Sequence, residues 1–488
     1  MADSSSTTSS TVGQRWGDVE DDPVEVEEST SQTPENASSS SAVEVPNLDA
    51  LAIDENKKKN DFLDEPEDTH ISAVTSGDTL YATAAKFEDL NLSPELLKGL
   101  YVDMKFTRPS KIQSISLPMI LTPPYKDLVA QAHNGSGKTT CFVLGMLSRV
   151  DPNLKEVQAL CICPTRELAI QNMEVLNKMG KYTGISSVCA IPSGSADIPI
   201  AKSAEIKAQV VIGTPGRIRN LMTSRKLNTS NLKVLVFDEA DHMLDDDGFK
   251  DDSLKIRRLM AKDNAHYQVL LFSATFNDTV KNFVSKVVKD GNQMFVRKEE
   301  LTLDVVKQYK VICPNEQAKI DVIRDRIFEL GEKLGQTIIF VHSRKSANEL
   351  HKKLGDYGYG CTTIHGALDK DFRDKIVKEF KDGLTKVLIS TDVLARGFDQ
   401  SQVNLVINFD LPVKHNYPSD PDYEVYLHRC GRAGRFGRKG AVFNLLSVDM
   451  DHMLLEKIEK HFGTKIVEVP NWKSDEDFEK ALKAAGLL

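Results

Sequence analysis

The chain predicts an α/β protein: two doubly wound parallel-sheet domains in tandem, behind a disordered acidic N-terminal tail. The first observation is an alternation of short β-type runs with helix-length segments. The runs are Leu128–Ala130, Ala159–Cys163, Ser187–Ile191, Val210–Gly213, Val234–Phe237 and Val269–Phe272, then Thr337–Val341, Cys361–Ile364, Val387–Ser390, Leu405–Phe409 and Ala441–Leu445. Such alternation is the pattern of a parallel sheet covered by helices. The second is a pair of phosphate-chemistry motifs, each at the end of one of these runs. The third is a charge split. Residues 1–70 hold 18 acidic and 4 basic side chains, a net of −14, which leaves +5 on residues 71–488 out of the whole chain's −9.

The expected boundaries are a Ser/Thr-rich acidic tail over 1–78, a first domain over 79–297, a linker over 298–304 and a second domain over 305–488. The tail has few aromatics and cannot bury enough apolar surface to offset its chain entropy. The linker falls in Met294–Leu303, which is charged and has no strong apolar period. Apolar content of 40 % is ordinary for a globular protein. No apolar run approaches the ~18–20 residues of a membrane span, and the N-terminus has no apolar signal-peptide core. A soluble, intracellular monomer with no membrane insertion is expected. The seven cysteines are scattered without a C-x-x-C pair, and Cys161 and Cys163 read as buried apolar residues of one strand face. The mildly basic body fits local contacts with nucleic acid.

The first motif is Gly135-Ser136-Gly137-Lys138-Thr139, after the run ending at Ala130. A Gly-Ser-Gly turn leaves backbone N–H groups free to cradle phosphate oxygens at a helix N-terminus. Lys138 is placed for the β- and γ-phosphates and the Thr139 hydroxyl for Mg²⁺. Ala132 stands where the strict phosphate-loop pattern has its first glycine. The second motif is Asp238-Glu239-Ala240-Asp241, after the run ending at Phe237. Asp238 is the carboxylate that holds the metal through water, and Glu239 the base that orients the attacking water. Together they make the two halves of a nucleoside-triphosphatase site, with a nucleoside triphosphate and Mg²⁺ as its ligands.

The tetrad at 238–241 and the motifs around it, in order from about Phe87 to the last helix, resemble the DEAD-box RNA helicases. That resemblance implies two tandem RecA-like domains. It makes Phe106, Arg108 and Gln113 an adenine-reading motif: Phe106 offers a ring face, and the Gln113 amide matches both hydrogen-bonding edges of adenine. Lys105 replaces the usual glycine before that phenylalanine. Pro164, Thr165, Arg166, Ser193, Gly194, Thr214, Gly216 and Arg217 match the first domain's RNA-backbone contacts, with Ser193-Gly194 in place of Gly-Gly. Arg344, Arg373 and Thr391 match those of the second, with Phe372 where a glutamine commonly precedes that arginine. Backbone contacts of this kind carry little sequence selectivity. Ser273 and Thr275, with His428, match the element that couples hydrolysis to duplex opening, and the hydroxyls are expected to bond the Asp238–Asp241 segment. Arg429 and Arg432 are implied to meet the γ-phosphate from the second domain, Arg432 as arginine finger, and Asp399 to contact the ribose.

The insert Lys414–Asp422 and the runs Leu80-Tyr81 and Leu121-Thr122-Pro123-Pro124 are similar to the messenger-RNA export helicases of the nuclear pore, with a Ser-rich acidic start like plant members. That subgroup resemblance implies an inositol-hexakisphosphate-dependent export activator and a nucleoporin as partners. It implies a cytoplasmic and nuclear protein enriched at the pore. A general translation-initiation helicase and a slow-turnover ATP-dependent RNA clamp are the alternatives; a translocating DNA helicase is disfavoured by the adenine motif and the tetrad.

Overall fold

The computed structural model describes residues 71–75, 81–132, 136–192, 204–245, 247–263, 266–296, 306–329, 335–394, 400, 402–414, 417–434 and 439–488. These residues form an eight-stranded sheet, a seven-stranded sheet and a two-stranded hairpin. The first sheet uses β1 (Ile71–Val74), β2 (Asp127–Gln131), β3 (Ala159–Ile162), β4 (Ser187–Ala190), β5 (Val210–Gly213), β6 (Val234–Phe237), β7 (Gln268–Ser273) and β8 (Gly291–Val296), in the order β1-β8-β2-β7-β6-β3-β5-β4. Only β1 runs antiparallel, against β8; the remaining pairs are parallel. Its helices are α1 (Pro94–Lys98), α2 (Lys111–Leu121), α3 (Lys138–Arg149), α4 (Arg166–Met179), α5 (Pro215–Thr223), α6 (Ala240–Asp245), α7 (Asp247–Asp263) and α8 (Asp278–Val287).

The second half repeats the plan. Its chain order includes β9 (Val306–Ile312), β10 (Gln336–Phe340), β11 (Cys361–Ile364), β12 (Val387–Ser390), β13 (Val403–Asn408), the hairpin β14 (Val413–Lys414) and β15 (Tyr417–Pro421), then β16 (Gly440–Leu446) and β17 (Val467–Val469). The sheet order is β11-β12-β10-β13-β16-β9-β17, all parallel. The helices are α9 (Glu316–Asp321), α10 (Arg344–Asp356), α11 (Lys370–Lys381), α12 (Tyr423–Cys430), α13 (Asp449–Phe462) and α14 (Asp475–Ala484). Among the described residues no helix is long and apolar enough to cross a membrane.

The central strands β3, β5, β6 and β7, with β10 and β12, are buried on both faces because each face meets helices. In β6, Val234 and Val236 join one buried cluster while Leu235 and Phe237 join another. In β7, Leu270 and Phe272 face the first cluster, and Val269 and Leu271 the second. The second domain does the same with Ile339 and Ile338 of β10. Phe142 of α3 packs on Phe272 with ring centroids 5.6 Å apart, which seats the helix after the phosphate loop against the sheet centre.

Two boundaries differ from expectation. Ile71–Val74, which the sequence places in the tail, pairs with β8 as an edge strand. Met294–Val296, read as the start of the linker stretch, completes β8, and Met294 is fully buried. The polar start of β8, Gly291-Asn292-Gln293, hides its strand character; Asn292 is nevertheless buried and donates to the Tyr81 hydroxyl at 3.2 Å. The insert 414–422 begins in the β14–β15 hairpin and ends on Asp422, which caps α12 through a 2.9 Å bond from Val425 N–H.

Lys105 sits at φ 57°, in the left-handed region. There a side chain costs roughly 1–2 kcal/mol, which explains the glycine usual at this position. Glycine in turn costs roughly 0.5–1 kcal/mol through the unfolded chain. Lys105→Gly is therefore expected to stabilise the protein by about 0.5 kcal/mol, read as a higher urea midpoint; a lower midpoint would mean that the lysine makes compensating contacts.

Candidate nucleotide site and domain seam

In open parallel sheets, ligands bind beyond the carboxyl ends of the strands. Here the ends of β2, β7, β6 and β3 lie side by side. Ala132 N–H bonds Ser273 C=O at 3.1 Å, and Asp238 N–H bonds Ile162 C=O at 3.1 Å. The phosphate-loop, Asp-Glu-Ala-Asp and Ser-Ala-Thr segments thus converge on one edge.

Lys138 and Thr139 open α3, with Lys138 buried. The Lys138 ammonium donates to Ala132 C=O at 2.6 Å, so it lies across the loop. Gly137 has φ 99°, and a Cβ there would come within 2.5 Å of Gln113 Nε2. Glycine is required both by conformation and by space. Gly135 lies outside the described residues. Ser136 C=O accepts from the Ser110 hydroxyl at 3.0 Å. Gln113 is buried; its Oε1 accepts Ser110 N–H at 2.9 Å and its Nε2 donates to Gly137 C=O at 3.3 Å. An amide oxygen has a second lone pair and an amide nitrogen a second hydrogen. Gln113 can therefore read a base while bonded to the phosphate loop. Phe106 is half-buried and stacks on Phe87, centroids 6.4 Å apart; Arg108 is exposed.

Asp238 and Glu239 follow β6 and are both buried. Asp238 Oδ1 accepts Glu239 N–H at 3.1 Å, and Oδ2 accepts from Asn172 Nδ2 at 2.7 Å. Burial, with the adjacent Glu239 charge, pushes the Asp238 pKa up to about 6, against the pull of Asn172 and Lys138. Glu239 has φ 50°, a strained conformation of the kind found at functional sites. Its Oε2 stands 4.0 Å from His242 Nδ1, beyond hydrogen-bond reach. That oxygen and the Ser136 Oγ are buried without a hydrogen-bond partner among the described residues. A crowded pair of buried carboxylates beside unsatisfied oxygens fits a hydrated divalent cation and a polyphosphate. Asp238 and Thr139 are the residues that would hold the ion.

The fully buried Asp241 ties this edge to the second domain. Its Oδ2 accepts Thr275 N–H at 3.1 Å and the Thr275 hydroxyl at 3.0 Å, and lies 3.5 Å from His428 Nε2. Its N–H donates to Ser273 Oγ at 3.2 Å. The expected bonds between these hydroxyls and the Asp238–Asp241 segment are present. Arg432, buried, donates from Nε to His428 C=O at 3.0 Å. Arg429, expected at the γ-phosphate beside Arg432, keeps its buried Nη2 without a hydrogen-bond partner among the described residues. It is fully buried and donates to Asp392 at 2.6 Å, to Asn408 at 3.3 Å and to Asp410 C=O at 2.7 Å. Its guanidinium carbon lies 5.0 Å from the centre of the Phe340 ring. This arginine braces α12 on its own domain. Asp399 lies outside the described residues.

The expected RNA residues divide. Thr165 caps α4 by accepting Leu168 N–H at 3.2 Å, after the buried Pro164. Thr214 precedes α5, which carries Gly216 and Arg217 in its first turn. Arg344 is exposed at the start of α10, and Thr391 follows β12. Ser193 and Gly194 lie outside the described residues. Arg166 and Arg373, both expected on RNA, make ion pairs across the two domains. Arg166 bonds Asp374 at 2.8 Å, and Arg373 bonds Glu167. Their opposed charges sit where α4 and α11 meet, and Lys381 joins Glu174 at 2.8 Å along the same seam. Arg166 Nε and Nη1 and Arg373 Nε are buried without partners among the described residues, so each keeps a donor for an anion. Asn277 to Glu424, 2.7 Å, extends the seam toward α12. Sequence reasoning misses Asn172 and the acidic seam partners, because contacts between residues 66 and 208 apart leave no local pattern.

Two RecA-like sheets with a phosphate loop, a carboxylate tetrad and an opposing arginine helix define a two-domain nucleoside triphosphatase. Similarity to known proteins specifies it further. The family described as DEAD/DEAH box helicase matches residues 110–283, and the helicase conserved C-terminal domain matches residues 318–437. The chain is 62 % identical over 446 residues to DEAD-box ATP-dependent RNA helicase 38 of Arabidopsis thaliana, covering 91 % of this chain and 90 % of the relative. The structure of S. cerevisiae Dbp5 bound to RNA and ADP BeF3 is 40 % identical, covers 82 % of this chain and 100 % of its own, and superposes with a TM-score of 0.76. A structure of a point variant of S. cerevisiae Dbp5, bound to Nup159, a Gle1 variant, IP6 and ADP, is 38 % identical, covers 81 % and 99 %, and has a TM-score of 0.59. The chain belongs to the DEAD-box ATP-dependent RNA helicases, RNA-stimulated ATPases.

Gln113→Ala should weaken ATP more than GTP, by on the order of 1–3 kcal/mol for the polar groups left unpaired. Competition binding with both nucleotides checks this; equal losses would make Gln113 a purely structural brace of the phosphate loop.

Proposed function

We propose that the chain is a messenger-RNA export helicase that remodels RNA–protein complexes at the nuclear pore. The observation that carries the coupling is the Asp241–His428 contact. One buried carboxylate joins the nucleotide edge of the first domain to the arginine helix of the second. Domain closure therefore assembles the hydrolytic site, and a ligand that favours closure favours hydrolysis.

In this reading the loop of Ala132, Ser136, Gly137 and Lys138 receives the phosphates, while Phe106, Arg108 and Gln113 receive adenine. Thr139 and Asp238 hold Mg²⁺, which supplies charge neutralisation at the phosphates when bound. Glu239 orients the attacking water and accepts its proton, since its buried Oε2 has no hydrogen bond among the described residues. Arg432 comes from the second domain to the γ-phosphate as arginine finger, and Arg429, held by its own domain, offers its remaining donor Nη2 to the same anion. Ser273, Thr275 and His428 transmit closure. Single-stranded RNA lies along the first-domain elements at 164–166 and 214–217 and the second-domain elements at Arg344, Arg373 and Thr391. RNA seated on both halves strengthens the seam, which accounts for RNA stimulation.

The export reading is supported by the likeness to Dbp5, whose structures include Gle1, IP6 and Nup159. A corresponding inositol-hexakisphosphate-dependent activator and a nucleoporin are the partners proposed here, with a location at the pore. A translation-type helicase would lack the response to that activator. The clamp reading is disfavoured by Glu239 and Arg432, which serve turnover.

The test is steady-state ATP hydrolysis with and without single-stranded RNA, then with a Gle1-type activator and IP6. Stimulation by both is expected; loss of the activator response alone would leave a translation-type helicase. Glu239→Gln should retain ATP and RNA binding while hydrolysis falls by about 10²-fold or more. Near-normal turnover in that variant would remove Glu239 from its role.

A further inference from the structure

We propose that Asn172 is a positioning residue for Asp238, fixing the carboxylate that holds the magnesium ion of bound ATP. The inference rests on the assignment of Asp238 to that ion and extends it to a residue that no motif marks.

Asn172 lies inside α4 and is 0 % exposed. Its Nδ2 donates to Asp238 Oδ2 at 2.7 Å and to Cys163 Sγ at 3.4 Å. Its Oδ1 is buried with no hydrogen-bond partner among the described residues. An asparagine in a helix interior is a poor helix former, and a half-satisfied buried amide costs stability. Leu168, Ala169 and Met173 beside it on α4 belong to the apolar core. An aliphatic side chain of similar volume would suit that bed better. What the amide adds is its bond to Asp238.

The direction of the amide is fixed by chemistry. A charged carboxylate accepts only, so the NH₂ end must face it; the reverse orientation would oppose two oxygens. Asp238 is then held from two sides, by Glu239 N–H on Oδ1 and by Asn172 on Oδ2. Each oxygen keeps a lone pair for water on the ion. Carboxylates at metal sites are commonly oriented this way, and losing such a partner typically costs about 10–100-fold in metal affinity or activity. The supporting element is the seam helix itself: α4 carries Arg166, Glu167 and Glu174, each paired to α11. The bond therefore runs from the helix that meets the second domain to the nucleotide edge.

The experiment titrates Mg²⁺ against binding of a fluorescent ATP analogue by the full chain, with thermal melts to confirm folding. Asn172→Leu should raise the half-saturating Mg²⁺ concentration roughly 10-fold or more, with nucleotide affinity in EDTA unchanged. Asn172→Ala, which only removes atoms, serves if leucine crowds its neighbours. Cys163→Ala removes the amide's other contact and should leave the Mg²⁺ dependence as it was. An unchanged Mg²⁺ midpoint in a folded Asn172 variant, or an equal shift from Cys163→Ala, would make Asn172 a packing residue and overturn the proposal. Asp238→Asn separates the two levels: if it too leaves the midpoint unchanged, the metal assignment itself has failed.

Discussion

The Asp241 carboxylate has no exposure to water, and its charge must be met by protein donors. Thr275 supplies two and Ser273 fixes the backbone beneath it, while His428 approaches from the other domain. A buried charge is costly when any partner leaves, so the polar groups gathered around Asp241 favour the approach of His428 and its helix. The rest follows from it. The α12 helix is brought to the nucleotide edge, Arg432 is carried with it, and the α4–α11 ion pairs fall into register alongside.

The edge stores strain where chemistry is expected. Glu239 and Gly137 both have positive φ, and both flank groups whose position matters, the Glu239 carboxylate and the first turn of α3. Gly137 tolerates this without cost from a side chain. Glu239 does not, and its conformation sits between the buried Asp238, which accepts its N–H, and the buried Ala240 and Asp241. Asp238 shows the same tension electrostatically, because burial next to a second carboxylate raises its pKa, a tension that a bound cation would relieve.

Much of this is legible in the sequence, for identifiable reasons. Val210–Gly213, Val234–Phe237 and Val387–Ser390 read to the residue because strands covered on both faces are near-continuous apolar runs, and the edge strand Cys361–Ile364 reads from its β-branched residues. β8 escapes because Asn292 and Gln293 are polar yet inside the sheet. β9 escapes because its lysines interrupt the apolar run, although it lies between β16 and β17. The phosphate loop and tetrad are local motifs and read directly. The seam roles of Arg166 and Arg373 do not, since their acidic partners come from the other domain. Asn172 is invisible because a polar residue inside a helix resembles any solvated position until burial is known.

Polar pairs line the seam: Arg166 with Asp374, Arg373 with Glu167, Lys381 with Glu174 and Asn277 with Glu424, with His428 Nε2 3.5 Å from Asp241. Surfaces of that kind are readily rehydrated when they part. Halves that part along these pairs expose charged and polar groups that water accepts, so the joint can open without uncovering the buried apolar clusters, each of which lies within one domain.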